Sequence, residues 1–94
     1  MKPFTVWLRF HGDLNLFLGS RASDVIKRRL AEKTSVKDVI ESCGVPHPEV
    51  DLILVDEQPV DFDHTLANDA KLEVFPVADR NTFLSKQRLQ ISEL

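Results

Sequence analysis

A chain of 94 residues has room for one small domain, since folding at this size withdraws roughly 60–70% of the unfolded surface from water. Hydrophobic residues make up 43% and charged residues 29%, ordinary for a globular chain, and the longest aliphatic run, Leu52-Ile53-Leu54-Val55, is far too short to span a bilayer. One cysteine excludes an internal disulfide framework and a multi-cysteine zinc site, and the net charge of −3 is too mild to indicate a partner by itself.

Residues 3–10, Pro-Phe-Thr-Val-Trp-Leu-Arg-Phe, alternate strictly. Phe4, Val6, Leu8 and Phe10 share one side, and Thr5, Trp7 and Arg9 the other, which predicts a half-buried strand. Leu14, Phe17 and Leu18 then follow i, i+3, i+4 spacing after Asp13, so one helical turn capped by Asp13 and stopped at Gly19 is expected. Residues 24–31 predict a second strand with Ile26 and Leu30 inward and Lys27 and Arg29 outward. Arg28 falls on the inward side, where either a bulge or its long aliphatic stem must accommodate it.

Ser35-Val-Lys-Asp38 is an acidic variant of the capping box. Val36, Val39, Ile40 and Cys43 behind it form a single apolar stripe at helical spacing. Gly44 supplies a left-handed stop and Pro46 cannot continue the helix. Residues 51–56 predict a third strand, with Leu52 and Leu54 opposed to Ile53 and Val55. Asp56-Glu57-Gln58-Pro59 reads as a turn, residues 60–62 as a short return strand, and residues 65–70 as a polar loop anchored by Leu66. Residues 71–77 form the last predicted strand, with Leu72 and Val74 facing one way and Glu73, Phe75 and Val77 the other. Pro76 has no N–H, so pairing should fail beside it on at least one side. One helix and four or five strands imply an α+β domain in two layers, a mixed sheet with the helix on one face.

This order, with the capped helix in the middle, resembles the β-grasp fold of ubiquitin-like proteins. Val74-Phe75-Pro76-Val77-Ala78 is similar to the last strand of the bacterial sulfur carriers, the small subunit of molybdopterin synthase and its thiamine-pathway relative. In those carriers the strand runs into a terminal Gly-Gly that is adenylated and thiocarboxylated. Here Asp79-Arg80 follows, the chain ends Ser92-Glu93-Leu94, and no diglycine occurs, so carrier chemistry is not expected. The closer resemblance is to the ubiquitin-like domain that precedes RNase domains of the Mut-seven C-terminal type. It covers roughly residues 3–77 and is densest in Ser35-Val-Lys-Asp-Val-Ile40 and in Gly44-Val-Pro-His-Pro-Glu-Val-Asp-Leu-Ile-Leu-Val55. The resemblance implies a non-catalytic accessory domain that helps an RNase bind or position RNA. No RNase domain follows in this sequence, so either a stand-alone version acting on a separate RNase-type protein partner or an excised piece of a longer protein is expected. A domain over residues 1–78 and a C-terminal tail over 79–94 are expected.

The β-grasp strand order, second, first, last, third, fourth, would gather Trp7, Arg9, Lys27, Arg29 and Phe75 on the sheet face without a helix. Cations for phosphates beside aromatics for bases make a workable surface for single-stranded RNA, while a cross-strand Trp7–Phe75 pair on a protein-binding or merely solvated face is the plainer alternative. Charge supports two-sidedness: residues 1–37 carry +5 and residues 38–78 carry −9. Asp51, Asp56, Glu57, Asp61 and Asp63 would form an acidic partner edge on the third and fourth strands, suited to the basic channel of a nuclease. Phe83, Leu84, Leu89, Ile91 and Leu94 make the tail apolar enough to fold back or to order on a partner.

Candidates for chemistry are few. Cys43 and His47 are separated by helix-breaking Gly44 and Pro46, and Cys43 completes the apolar stripe, so a core thiol is expected. Asp61, Asp63 and His64 lack the ligand pattern of a calcium or zinc site and read as a solvated turn. His11 and His47 have no evident ionisable partner in the sequence. No enzyme activity, cofactor or metal is expected, and without a signal-peptide pattern the expected location is cytoplasmic.

Overall fold

The structure, a computed structural model, describes residues 2–77. The expected boundary at residue 78 and the tail with its five apolar residues lie outside the described residues. Among the described residues seven strands and one α-helix follow in order: β1 Phe4–Phe10, β2 Val25–Leu30, β3 Thr34–Ser35, α1 Val36–Ser42, β4 Val50–Val55, β5 Gln58–Pro59, β6 Thr65–Leu66 and β7 Ala70–Pro76. Five of the strands form one mixed sheet in the order β2-β1-β7-β4-β5, with β1 and β7 parallel and the other pairs antiparallel. This is the order that the β-grasp resemblance implies.

The core is the alternation of β1 and β7 carried into three dimensions. Phe4, Val6, Leu8 and Phe10 of β1 and Ala70, Leu72 and Val74 of β7 are buried on one face, in one cluster with Val36, Val39 and Ile40 of α1 and Cys43 at its C-cap. Each such aliphatic or aromatic side chain contributes roughly 1.5–3 kcal/mol by leaving water. On β4 the register slips between Val50 and Leu52, so Asp51 is the extra, exposed residue. That bulge lets Val50 and Ile53, of opposite parity, both face the core. Pairing of β7 with β1 ends at Val74, two residues before Pro76, as the missing proline donor requires.

α1 is short, and its ends are satisfied by the rest of the domain. Ser35 Oγ accepts from the Asp38 amide (3.1 Å), while the amides of Val36 and Lys37 donate to the carbonyls of His64 (2.8 Å) and Phe62 (3.1 Å). Three of the four N-terminal donors that a helix cannot satisfy internally are thereby paired. At the other end Gly44 takes φ +92° and donates to the Glu41 carbonyl (3.0 Å). Arg28 solves its own problem here: Nη2 donates to the Ser42 carbonyl (3.2 Å), placing a cation on the negative end of the helix. β1 and β2 stay in unbroken register from Phe4–Leu30 to Arg9–Val25, so the stem of Arg28, not a bulge, accommodates it.

Four expectations are corrected. The turn after β1 is a 3-10 helix over Gly12–Phe17 whose cap position is His11, not Asp13; Leu14 and Leu18 are buried but Phe17 is 43% exposed. Leu18 lies at the C-cap, beyond the 3-10 helix, and its four-residue spacing from Leu14 does not match three residues per turn, so the α-helical stripe of Leu14, Phe17 and Leu18 does not form. Gly19 opens a second 3-10 turn, Gly19–Arg21, at φ +59°. The return strand is Gln58–Pro59 instead of 60–62, because Asp56 (φ +47°) and Glu57 (φ +72°) form a two-residue turn that sets Val55 opposite Gln58. Residues 65–70 are not a loop throughout: Thr65 and Leu66 pair with Ser35 and Thr34 in a small second sheet at the head of α1.

Candidate functional site

The face of the five-stranded sheet opposite α1 is uncovered among the described residues, and register fixes what stands on it. One row across the strands reads Lys27, Trp7, Lys71; the next reads Val25, Arg9, Glu73, Leu54, Pro59. A third places Arg29 beside Thr5. Val25 (47%) and Leu52 (41%) are large apolar residues exposed on this face. Between the rows runs a groove of about 380 Å³ lined by Trp7, Arg9, Val25, Lys71, Leu72 and Glu73.

The polar groups on this face are held in a specific way. Arg9 and Glu73 are register neighbours, yet they form no ion pair; Glu73 Oε2 lies instead 3.4 Å from His11 Nε2. Asp69 Oδ1 accepts the Thr5 amide (2.8 Å), and Arg29 Nη1 donates to Thr5 Oγ1 (3.2 Å). Among the described residues the close contacts of a carboxylate with a basic side chain are those of His11 with Glu73 and His47 with Glu41. Arg9, Lys27, Arg29 and Lys71 therefore stand around a half-buried Trp7 without forming an ion pair.

The structure brings Trp7, Arg9, Lys27 and Arg29 together but sets Phe75 apart. Trp7 is opposite Lys71, so Phe75 lies four residues farther along β7, about 13 Å away at the usual rise. Its neighbours are Leu52 on β4 and the His11 ring, stacked at 4.3 Å and 5°. The cross-strand Trp7–Phe75 pair is thus excluded by register. Lys71 and Glu73 stand where Phe75 was expected. The alternation of residues 71–77 already carried that information, since Lys71, Glu73 and Phe75 share one parity.

The acidic residues lie at the other side of the sheet. Asp51, Asp61 and Asp63 line a groove of about 520 Å³ with Leu52, Ile53, Pro59, Val60 and Phe62. Asp56 and Glu57 occupy the β4–β5 turn, at the rim of a neighbouring hollow that they share with Leu54, Lys71 and Glu73. Asp56 is not simply solvated: its Oδ1 accepts the Lys71 amide (2.9 Å) while its own amide donates to the Lys71 carbonyl (2.8 Å).

Cys43 is buried and its thiol is pushed up by that burial, with the Arg28 charge opposing. His47 has a partner that the sequence did not reveal: Nδ1 donates to Glu41 Oε2 (2.6 Å), and the ring meets Phe62 edge-on at 5.4 Å. That hydrogen bond holds the Glu41 carboxyl below its usual range. His11 likewise has Glu73. Both pairings join residues whose proximity depends on how a strand or helix is left, which spacing along the chain does not record. Around Asp61, Asp63 and His64 the His64 amide donates to the Asp61 carbonyl (3.1 Å). Among the described residues no three His, Cys, Asp or Glu side chains converge to hold a metal ion, and no helix is long and apolar enough to cross a membrane.

The profile of the Mut7-C ubiquitin family matches residues 4–82. The putative molybdopterin converting factor subunit 1 of Pyrococcus furiosus has a similar structure, with a TM-score of 0.60 at 22% identity, covering 78% of this chain and 97% of that one. The HVO 2177 protein of Haloferax volcanii, solved in solution, is similar with a TM-score of 0.58 at 21% identity, covering 79% and 83%. No curated protein matches the chain in sequence. Identities this low establish a shared β-grasp fold and nothing finer.

Proposed function

Because the chain belongs to the Mut7-C ubiquitin family, we propose that it is a non-catalytic binding module that associates with an RNase of the Mut-seven C-terminal type and helps to position RNA for it. The observation that carries this reading is the division of charge across one sheet. Asp51, Asp61 and Asp63 rim an apolar groove on the β4–β5 side, while unpaired cations occupy the β2–β1 side. An acidic rim repels RNA and complements a basic protein surface such as the channel of a nuclease, steering the two into one orientation. The apolar residues Leu52, Val60 and Phe62 supply area that such a contact can bury.

The test is co-expression of the full chain with a separately encoded RNase of that type, followed by purification on a tag carried by the nuclease. Co-elution is expected, weakening as salt rises. It should be lost in the double variant Asp61→Lys with Asp63→Lys, which replaces exposed side chains. Separate elution of the unaltered proteins at low salt would refute the association. Equal retention of the charge-reversed variant would refute the acidic groove as its site.

A further inference from the structure

We propose that the groove beside Trp7 is a stacking site for one unpaired base of a single-stranded nucleic acid, with Arg9, Lys27 and Lys71 holding the adjoining phosphates. The proposal deepens the module reading above, resting on it only for the purpose of the RNA. Its basis is local. A chain with net charge −3 places four cations, Arg9, Lys27, Arg29 and Lys71, around one half-buried indole. Cations on a net-acidic protein ordinarily find carboxylates, but the acids around this face are otherwise directed. Glu73 lies against His11, Asp69 accepts the Thr5 amide, and Asp56, which shares a hollow with Glu57 and Lys71, accepts the Lys71 amide. None of them ion-pairs with Arg9, Lys27 or Lys71, which leaves the guanidinium and both ammonium groups for an external anion.

Shape agrees with charge. The groove of about 380 Å³ has Trp7 as its aromatic wall, Val25 as an apolar lip and Arg9 and Lys71 along its sides. A base is a flat apolar ring flanked by charged phosphates, and aromatic stacking with cations alongside is how sequence-tolerant single-strand sites are built. Lys27 and Lys71, directly across from Trp7 on either neighbouring strand, bracket the ring on both sides. Phe75 is stacked on His11, so the aromatic contact is confined to one ring and the site to one base.

Trp7 is the only tryptophan and the chain has no tyrosine, so its emission reports this site alone. Titration of the full chain with hexauridylate should quench that emission. The slope of log K against log salt should be about −2 for three phosphate contacts on a single strand. Lys71→Ala and Arg9→Ala should each flatten the slope by about 0.7. Trp7→Phe, followed by fluorescence anisotropy of labelled RNA, should weaken binding, by less than the roughly 5- to 150-fold that loss of the whole ring would cost because the smaller ring still stacks. Glu73→Gln should tighten it, a change of opposite sign that damage to the fold would not produce. Should Trp7→Phe not fold, the exposed Lys71→Ala still decides the matter. Unchanged emission with excess RNA at 20 mM salt would overturn the proposal. So would equal quenching by hexaglutamate, which would assign the cations to an acidic peptide, or a salt slope unmoved in Lys71→Ala. Co-elution with the nuclease is read separately, so either reading can fail without the other.

Discussion

The β4–β5 turn predicts an uncommon outcome, a charged-to-glycine substitution that stabilises. Glu57 adopts φ +72°, the left-handed region, directly after Asp56 at φ +47°. Asp tolerates that region through its short polar side chain, but a longer side chain there costs about 1–2 kcal/mol relative to glycine. Glu57→Gly releases this strain and at the same time loosens the unfolded chain, which offsets about 0.4–1 kcal/mol. The difference leaves a net gain of about 0.5–1 kcal/mol. For a domain of this size that raises Tm by about 2–8 °C. Thermal unfolding followed by circular dichroism measures it, and urea titration should show a higher midpoint with an unchanged slope. Glu57 makes no hydrogen bond or ion pair among the described residues, so nothing else should be lost. A Tm equal to or below that of the parent chain would refute the reasoning, and would mean that the left-handed turn costs Glu57 nothing.

Two further outcomes are expected. The His47 hydrogen bond holds the Glu41 carboxyl below its usual value of 4.5, so its contribution is present above that pH and is lost as pH falls through the lowered value. Glu41→Gln should therefore lower stability at pH 6 and shrink the acid-side decline below about pH 4.5; parallel pH–stability curves for the two proteins would refute this. Burial keeps the Cys43 thiol protonated and out of reach, so iodoacetamide at pH 8 should label it at a rate that follows unfolding and rises with urea. Labelling as fast as that of free cysteine in the native protein would place the thiol elsewhere than in the core.

What was legible in the chain was whatever is written as local periodicity. The strict alternation of residues 4–10 gave β1 and its buried face, and Ser35 with Gly44 bracketed α1 because both ends are set by the residues that cap them. Order of elements gave the sheet topology once the β-grasp resemblance was seen. What escaped was set by partners distant in the sequence. Thr65 and Leu66 have no strand pattern of their own; they are extended because Thr34 and Ser35 pair with them and because the first amides of α1 need the carbonyls of Phe62 and His64. Phe75 looked like a companion of Trp7 because parity assigns a face but not a position along it, and only the parallel register of β1 with β7 separates them. Arg28 seemed misplaced on an inward position until the end of α1 appeared beside it.

The parallel pairing of β1 with β7 also governs when this domain can come into being. During synthesis the first strand has only β2 for a neighbour, and an isolated hairpin is marginal in water. The seven-residue helix is below the length that persists unaided, and its leading amides, of Val36 and Lys37, await the carbonyls of His64 and Phe62 far downstream. Both wait for the last strand, which inserts into the middle of the sheet and not at its margin. Until residue 76 has cleared the ribosome the nascent chain therefore has no closed core, and Phe4, Val6, Leu8 and Phe10 stay open to chaperones.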